Sequence, residues 1–541
     1  MFVRRLLNFV LAIGLAFSPL TASAQDLNWR LFEFVKLTGG LNDTFNSLDI
    51  ADNEASDLQN IIFPRSQNGA FGQRPGFTRI NSTAVSGTPA FNGMTFFKLT
   101  DGTRYLVSVL DDDTVRKMDY GVGAGPDGTW DDITGSISFS ADSNDQADFV
   151  VAENTLIIED GIATTAPYQW TGSGNITALG GSPPSAQFVE YHNRILFVAG
   201  DSSNPSRLTF SNLDAITTWT STDFILIETD SSDGVIRGIK SGLDGLYIWK
   251  DRAIWRLSGT GRDDFRLERM VQGIGAASNS SIAIINSPAD SEQLFVFVTN
   301  RGDVAIYDGG VDVNYISRKI TNSVPNSLAF DRVDEAVATA YEFTYIVSLT
   351  NTGGSTHDRL YMFDFLHNAW TRFVGMDANA ISTFEAGDTQ ELLMFGDYAG
   401  FSNQWDITDT TADNDPGTTA IDAFYTTGWL GFDNIGAVEK RLRVIRVFAN
   451  QEGTGQTLDL EVRADFASAG TTFSISLAGA GAVWGSAVWG VDRYSGLSVT
   501  IDRIEPNAGD NLFQLRFRNN RVNESFTIRK FQMILEPSGR V

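Results

Sequence analysis

Few residue types can act as ligands or nucleophiles, and this chain is sparing with the most versatile of them. It has three histidines, His192, His357 and His367, and no cysteine among its 541 residues. None of the histidines has a second histidine or a carboxylate at the spacing of a zinc motif, and the lack of thiols removes disulfides, thiolate metal sites and cysteine nucleophiles together. There is no Gly-x-Ser-x-Gly elbow, no phosphate-binding Gly-Lys-Ser/Thr loop and no dinucleotide glycine pattern between a strand and a helix. What remains is carboxylate chemistry, with 66 Asp and Glu in all. Asp111-Asp112-Asp113 and Asp131-Asp132 could offer oxygens to calcium, but neither follows a loop with defined ligand positions, and solvated turns are the expectation. A glycoside hydrolase needs only two carboxylates at the right separation, so composition leaves one open without singling out a pair. Arg301-Gly302-Asp303 sits where a hairpin is predicted, and a turn explains it. The expectation is therefore a protein that is not an enzyme and needs no metal or cofactor.

The elements that would position these groups are strands. Short apolar runs closed by Gly, Asn or Asp recur along the chain, with an aromatic residue late in most units: runs ending near Trp130, Trp170 and Trp219, then GLYIWKDRAIWRLSG, LFVFVTNRGDVAIYDGG and RLYMFDFLHNAWTRF, with ELLMFGDYAGFSNQWD as the last. Their spacing of roughly 40 to 50 residues suits blades, and a radial array leaves fewer open sheet edges than one long sheet. The chain is too long for a single core. The reading is all-β: a β-propeller of about six blades over 91–405, preceded by an extended arm over 25–90 and followed by a polar linker, 406–421, and a C-terminal β-sandwich of roughly eight strands over 422–541.

Three stretches outside the blades carry their own signals. In the arm, Asp52 to Gln59 reads as a short helix that Asp52 or Asn53 would cap, and Arg74-Pro75-Gly76-Phe77 reads as a turn. In the sandwich, an Ala/Gly-rich loop from Leu477 to Gly490 repeats AVWG, so Trp484 and Trp489 either form a contact surface for a protein or a sugar or fold back over the sheets. At the N-terminus, Arg4 and Arg5 precede LLNFVLAIGLAFSPL and then Ala22-Ser23-Ala24, the pattern of a secretory signal peptide over 1–24. An uncleaved N-terminal helix is the other reading. No later stretch approaches the ~20 uninterrupted apolar residues of a membrane span.

Charge narrows the partners. Lys and Arg total 40 and the formal net charge is −26, so tight wrapping of nucleic acid is not expected, because affinity for a phosphate backbone comes from cations that neutralise it. A negative wall would instead let DNA pass without sticking.

Several motifs together resemble a known family. Gly39 to Asn42, Asp52 to Ala55, Leu58 to Ile62 and Arg74 to Phe77 are similar to the N-terminal arm of phage tail proteins of the podovirus nozzle and stopper type. His192-Asn193-Arg194, Ala199-Gly200, Pro205, Phe210-Ser211-Asn212 and Trp219 resemble one blade of those propellers. Ile274-Gly275, Ser278 to Ile282, Asn300-Arg301-Gly302 and Asp308-Gly309 resemble the next. The resemblance implies a virion protein: identical subunits in a ring of six, contacting the portal or adaptor and other tail proteins, and forming part of the DNA-ejection conduit. It implies contact roles for Arg74, Asn193 and Arg194, beside Trp484 and Trp489. The competing expectation, supported by the signal-like N-terminus, is an exported periplasmic or surface β-propeller that binds or processes carbohydrate.

Overall fold

The computed structural model describes residues 29–121, 125–137, 142–227, 232–289, 291–385, 391–405, 414–432, 439–452, 455–477 and 499–537. The signal-like segment 1–24 and the loop tryptophans Trp484 and Trp489 lie outside these residues.

Seven successive antiparallel sheets follow one another along the chain, each running outward from an innermost strand. Blade 1 is built on Phe91–Lys98, blade 2 on Asp148–Ala152, blade 3 on Phe188–His192, blade 4 on Ile236–Ser241, blade 5 on Ala283–Asn286, blade 6 on Val337–Tyr341 and blade 7 on Ala378–Glu385. Neighbouring innermost strands pack together around the ring, blades 4 and 5 are joined through the cluster of Trp249 and Phe295, and the innermost strand of blade 7 packs against that of blade 1, so the ring closes. This is a β-propeller of seven blades rather than about six. The count was hard to read because blade 7 takes its outermost strand, Thr78–Arg79, from the N-terminal arm, where it pairs with Asn403 and Gln404 of Ser402–Trp405.

Each junction between neighbouring blades holds its own apolar cluster. Leu156, Ile158 and Trp170 of blade 2 meet Val107 and Val109 of blade 1; Tyr247 and Trp249 of blade 4 meet Phe295 and Tyr307 of blade 5; Phe91 and Met94 of blade 1 meet Phe384 and Met394 of blade 7. Middle strands such as Leu246–Lys250 and Thr344–Leu349 are buried along their whole length, which is why their residues run apolar without the two-residue alternation of a half-exposed strand.

Among the described residues the C-terminal unit is a sandwich of a seven-stranded and a five-stranded sheet. Eight of these strands come from residues 423–537, and the arm supplies the other four: Arg30–Phe34, Ile61–Ile62 and Phe71–Gln73 join the larger sheet, and Ala55–Gln59 joins the smaller one. Arg30–Phe34 pairs with Phe531 to Leu535, and Ala55–Gln59 pairs with Phe424 to Thr427. The expected helix over Asp52 to Gln59 is therefore a turn leading into a strand. Ala55 and Leu58 are fully buried, and sheet pairing over a closed core outweighs a weak local helix preference and its cap. The core of the sandwich is continuous with the junction between blades 5 and 6, where Val296, Val298, Tyr345 and Val347 belong to the same cluster as Leu442, Ile445, Phe517 and Phe531.

Candidate functional site at the junction of propeller and sandwich

The arm passes twice between the two units, and polar side chains hold it at each crossing. The first crossing is the Gly39 to Asn42 stretch. Leu41 N–H donates to the Trp370 carbonyl at 2.8 Å, and a Cβ on Gly40, whose φ is +77°, would stand 2.7 Å from Trp370 N; only glycine fits both the dihedral and the approach. Beside it, the Asp43 carboxylate accepts from Asn322 N at 3.2 Å and Ser323 Oγ at 2.5 Å. Burial raises the Asp43 carboxyl above its ordinary value, and those hydrogen bonds oppose the rise. Glu54 accepts from Asn42 Nδ2 at 2.7 Å and meets Lys319 Nζ at 2.8 Å. Burial acts to raise the Glu54 carboxyl, but the Lys319 and Asn42 hydrogen bonds outweigh it and hold the group below its ordinary range.

The second crossing is built on Arg74, which is 1% exposed. Its guanidinium binds Asp415 through two parallel bonds of 2.8 and 2.6 Å. Its Nε donates to Asn60 Oδ1 at 3.1 Å and one terminal nitrogen donates to the Pro75 carbonyl at 3.0 Å. The same Asn60 oxygen accepts from Val374 N at 3.0 Å, and Asn60 Nδ2 donates to the Asp422 carbonyl at 3.0 Å. Two side chains of the arm, Asn60 and Arg74, the segment after blade 6 and the hairpin Asn414–Asp415 to Thr419–Ala420 thus share a single network. Two details fix the chain around it. Trp405 Nε1 donates to the Pro75 carbonyl at 3.2 Å, and a Cβ on Gly76 would lie 1.8 Å from the Asn414 carbonyl oxygen. The Arg-Pro-Gly-Phe stretch, expected as a turn, is instead an irregular connection between Phe71–Gln73 and Thr78–Arg79 with Gly76 outside the positive-φ region, because the bonds of Arg74 and the close approach of Asn414 set its course; its arginine is spent inside the molecule instead of on a partner.

The other residues singled out in the sequence lie apart from this junction. Asn193 and Arg194 form the tight turn of the inner hairpin of blade 3, both with positive φ. Asn193 Nδ2 donates to the Gly259 carbonyl at 3.1 Å, and exposed Arg194 pairs with exposed Asp214, its Nε at 2.5 Å from the carboxylate. His192 hydrogen-bonds Ser241 Oγ through Nδ1 at 2.8 Å, joining blades 3 and 4, and burial lowers its pKa. His357 is fully buried. Tyr398 Oη accepts from the His357 backbone N–H and shares a hydrogen bond with Nδ1, each at 3.0 Å, and burial drives the imidazole down to about 4, so it is neutral. His367 Nδ1 lies 2.7 Å from Asp364 Oδ2 within one turn of blade 6. Asp111 accepts from Ala90 N, Asp112 pairs with Arg116, Asp131 with Lys117, and Asp132 accepts from Thr134 N. Among the described residues no group of three or more His, Cys, Asp or Glu is placed to hold a metal ion. Arg301-Gly302-Asp303 is the hairpin turn of blade 5, with Gly302 at φ +80° and Asp303 receiving Ser317 Oγ at 3.3 Å.

The propeller's own axis is narrow. A cavity of about 180 Å³ is lined by Gly93, Gln146, Asp148, Lys240, Asn279 and Ala380 from different blades. Side chains stitch its wall: Asp148 accepts from Val189 N at 2.9 Å, and Asn279 accepts from Ile239 N at 3.1 Å. A short 3-10 helix, Phe330–Glu335, reaches two further parts of the ring, with Arg332 donating to Asn144 at 3.1 Å and Asp334 standing 4.0 Å from Arg237. On the inner strand of blade 3, burial pushes the Glu190 carboxyl up to about 7; Lys240 opposes that shift and Asp148 adds to it.

No family model matches this sequence, and no curated protein matches it. Solved structures similar to it include the Pan2 WD40 domain of Neurospora crassa, at 10% identity and TM-score 0.35, covering 63% of this chain and 96% of that one. They also include BBS1N in a complex with ARL6DN, at 12% identity and TM-score 0.37 over 63% and 99% of the two chains, and the WD40 β-propeller domain of Doa1, at 8% and 0.38 over 61% and 96%. The propeller assignment stands on the strand pairing itself.

Proposed function

We propose that this chain is a structural virion protein, one subunit of a phage tail nozzle or adaptor ring through which DNA leaves the particle. The observation that carries the reading is the course of the arm. The stretches that resemble tail nozzle and stopper proteins in the N-terminal region, Gly39 to Asn42, Asp52 to Ala55, Leu58 to Ile62 and Arg74 to Phe77, are the ones that close the sandwich and dock the propeller. An interleaved chain suits a part under load, because neither unit can leave the other without breaking sheet pairing at both ends of the arm. The acidic balance of −26 suits a wall along which DNA slides without adhering. The propeller's axial cavity, about 180 Å³, is far too small for a duplex, so the conduit in this reading is the axis of a ring of identical subunits, each presenting one patch to a different patch of the next. Portal or adaptor contacts lie above the ring and further tail proteins below.

Proteomics of purified particles tests this. The chain is expected in virions at several copies each, with a constant ratio to the portal protein. Recovery from a periplasmic fraction alone, with none in particles, refutes it and favours an exported carbohydrate-binding propeller.

A further inference from the structure

Between blade 7 and the sandwich lies an open cleft of about 460 Å³, within the range of roughly 300–1,000 Å³ common for small-molecule sites. Its walls contain three polar groups that lack an ion pair or a full set of hydrogen bonds among the described residues. Asn403 is 1% exposed, yet its Oδ1 has no hydrogen-bond partner, and its Nδ2 makes only a 3.4 Å contact with the Phe401 carbonyl. A buried amide oxygen without a donor is costly, on the order of 1–3 kcal/mol, and calls for a group to fill it. Asp377 is exposed at the cleft and accepts no hydrogen bond among the described residues. Arg79 makes no ion pair among the described residues; its guanidinium carbon stands over the Phe401 ring, 3.5 Å from the ring centre. The apolar part of the wall is aromatic, with Phe77 and Phe395 packed edge to face at 4.9 Å. The remaining acids there are engaged: Asp415 by Arg74, Asp422 by Arg518, and Asp397 by the N–H groups of Ala399 and Phe401.

We propose that this cleft binds a neutral saccharide. A ligand must supply a donor to the Asn403 oxygen, meet both a carboxylate and a guanidinium, and offer an apolar face to aromatic rings. Vicinal hydroxyls donate and accept at once, and the C–H face of a pyranose packs on an aromatic ring while its rim stays polar. A basic side chain would satisfy Asp377 but face the Arg79 cation, and an acidic ligand would pair with Arg79 but face Asp377 and Asp397. The charge pattern disfavours both. This inference does not rest on the ring reading, since it follows from the unpaired groups of one chain.

The test uses the full chain on an array of neutral bacterial-type oligosaccharides built from glucose, galactose, mannose, rhamnose and N-acetylhexosamines, with an oligolysine and an oligoglutamate peptide printed beside them. The best binder then goes to calorimetry with wild type, Asp377→Ala and Arg79→Ala. Both side chains are exposed, so melting temperature should be kept; if Arg79→Ala melts early, Asp377→Ala alone carries the comparison. The expected result is saccharide binding that weakens about tenfold in each variant, the loss of roughly one charge-assisted hydrogen bond. The proposal fails if no saccharide binds, if only a charged peptide binds, or if Asp377→Ala binds the saccharide as wild type does. Absence from virions would leave this result untouched, and absence of saccharide binding would leave the ring reading untouched.

Discussion

Truncating Arg74 to alanine should be among the most damaging single changes in the chain. The side chain is buried with Asp415 only 11% exposed, so the pair is nearly dry, and removal of one member leaves an uncompensated carboxylate together with an Asn60 oxygen that loses one of its two donors. Breaking a buried pair in this way costs about 3–5 kcal/mol, against roughly 0–1 kcal/mol for an exposed pair such as Arg194 with Asp214. Urea denaturation followed by tryptophan fluorescence reads the difference directly, because Trp405 donates to the Pro75 carbonyl beside the network. The double variant Arg74→Ala, Asp415→Ala supplies the control: it should be less unstable than the sum of the two single changes by about 1–3 kcal/mol, the coupling expected of groups in one network. A single Arg74→Ala variant within about 0.5 kcal/mol of wild type, or strict additivity with Asp415→Ala, would refute the claim that this pair ties the arm to the hairpin.

Three further outcomes are expected. Gly76→Ala must displace the Asn414 carbonyl, since its Cβ would stand 1.8 Å away; overpacking of this kind costs about 1–3 kcal/mol and should appear as a lowered denaturation midpoint. Ile80→Pro removes the N–H that donates to the Ser402 carbonyl at 2.8 Å, leaving that acceptor unpaired at a cost of about 1–3 kcal/mol, and hydrogen exchange should rise in Ser402–Trp405 before it rises in blades 2 to 4. Glu190 sets a pH dependence: its native carboxyl, pushed up to about 7 from 4.5, binds a proton more tightly than the unfolded one. Its contribution is full below about 4.5 and lost as pH rises through about 7. Glu190→Gln should flatten the stability curve over that window by about 1–3 kcal/mol, and an unchanged curve would contradict the assignment.

Much of the fold was legible because it is written locally. Blade units announce themselves by apolar runs such as Leu246 to Lys250, closed by Asp251 and Arg252, and the C-terminal strands by alternation, as in Thr457 to Ala464. What was illegible is non-local. Thr78 and Arg79 are two exposed residues, and nothing in them shows that they complete a sheet whose other strands lie some 300 residues later. Ala55 to Gln59 carries helix-compatible residues and a capping pair, and only its partner Phe424 to Thr427 makes it a strand. Arg74 stood out for its motif, but its burial depends on Asp415, in a stretch that reads as linker because a two-strand hairpin has no apolar period. The cleft had no sequence signal of its own: Phe77, Arg79, Asp377 and Asn403 are scattered along the chain, and only the folded surface brings them together and leaves the Asn403 oxygen without a donor. Gly76 reads as a turn glycine in the sequence, but its actual reason is the approach of the Asn414 carbonyl, which only the fold brings there.

Cryo-electron microscopy of tails from purified particles tests the proposed assembly. Rotationally repeated density is expected, into which the seven-bladed propeller and the sandwich of twelve described strands fit as one interleaved unit, with the DNA path on the ring axis and outside the propellers. Tails whose symmetric density is fully occupied by other chains, with none matching this one, would contradict it.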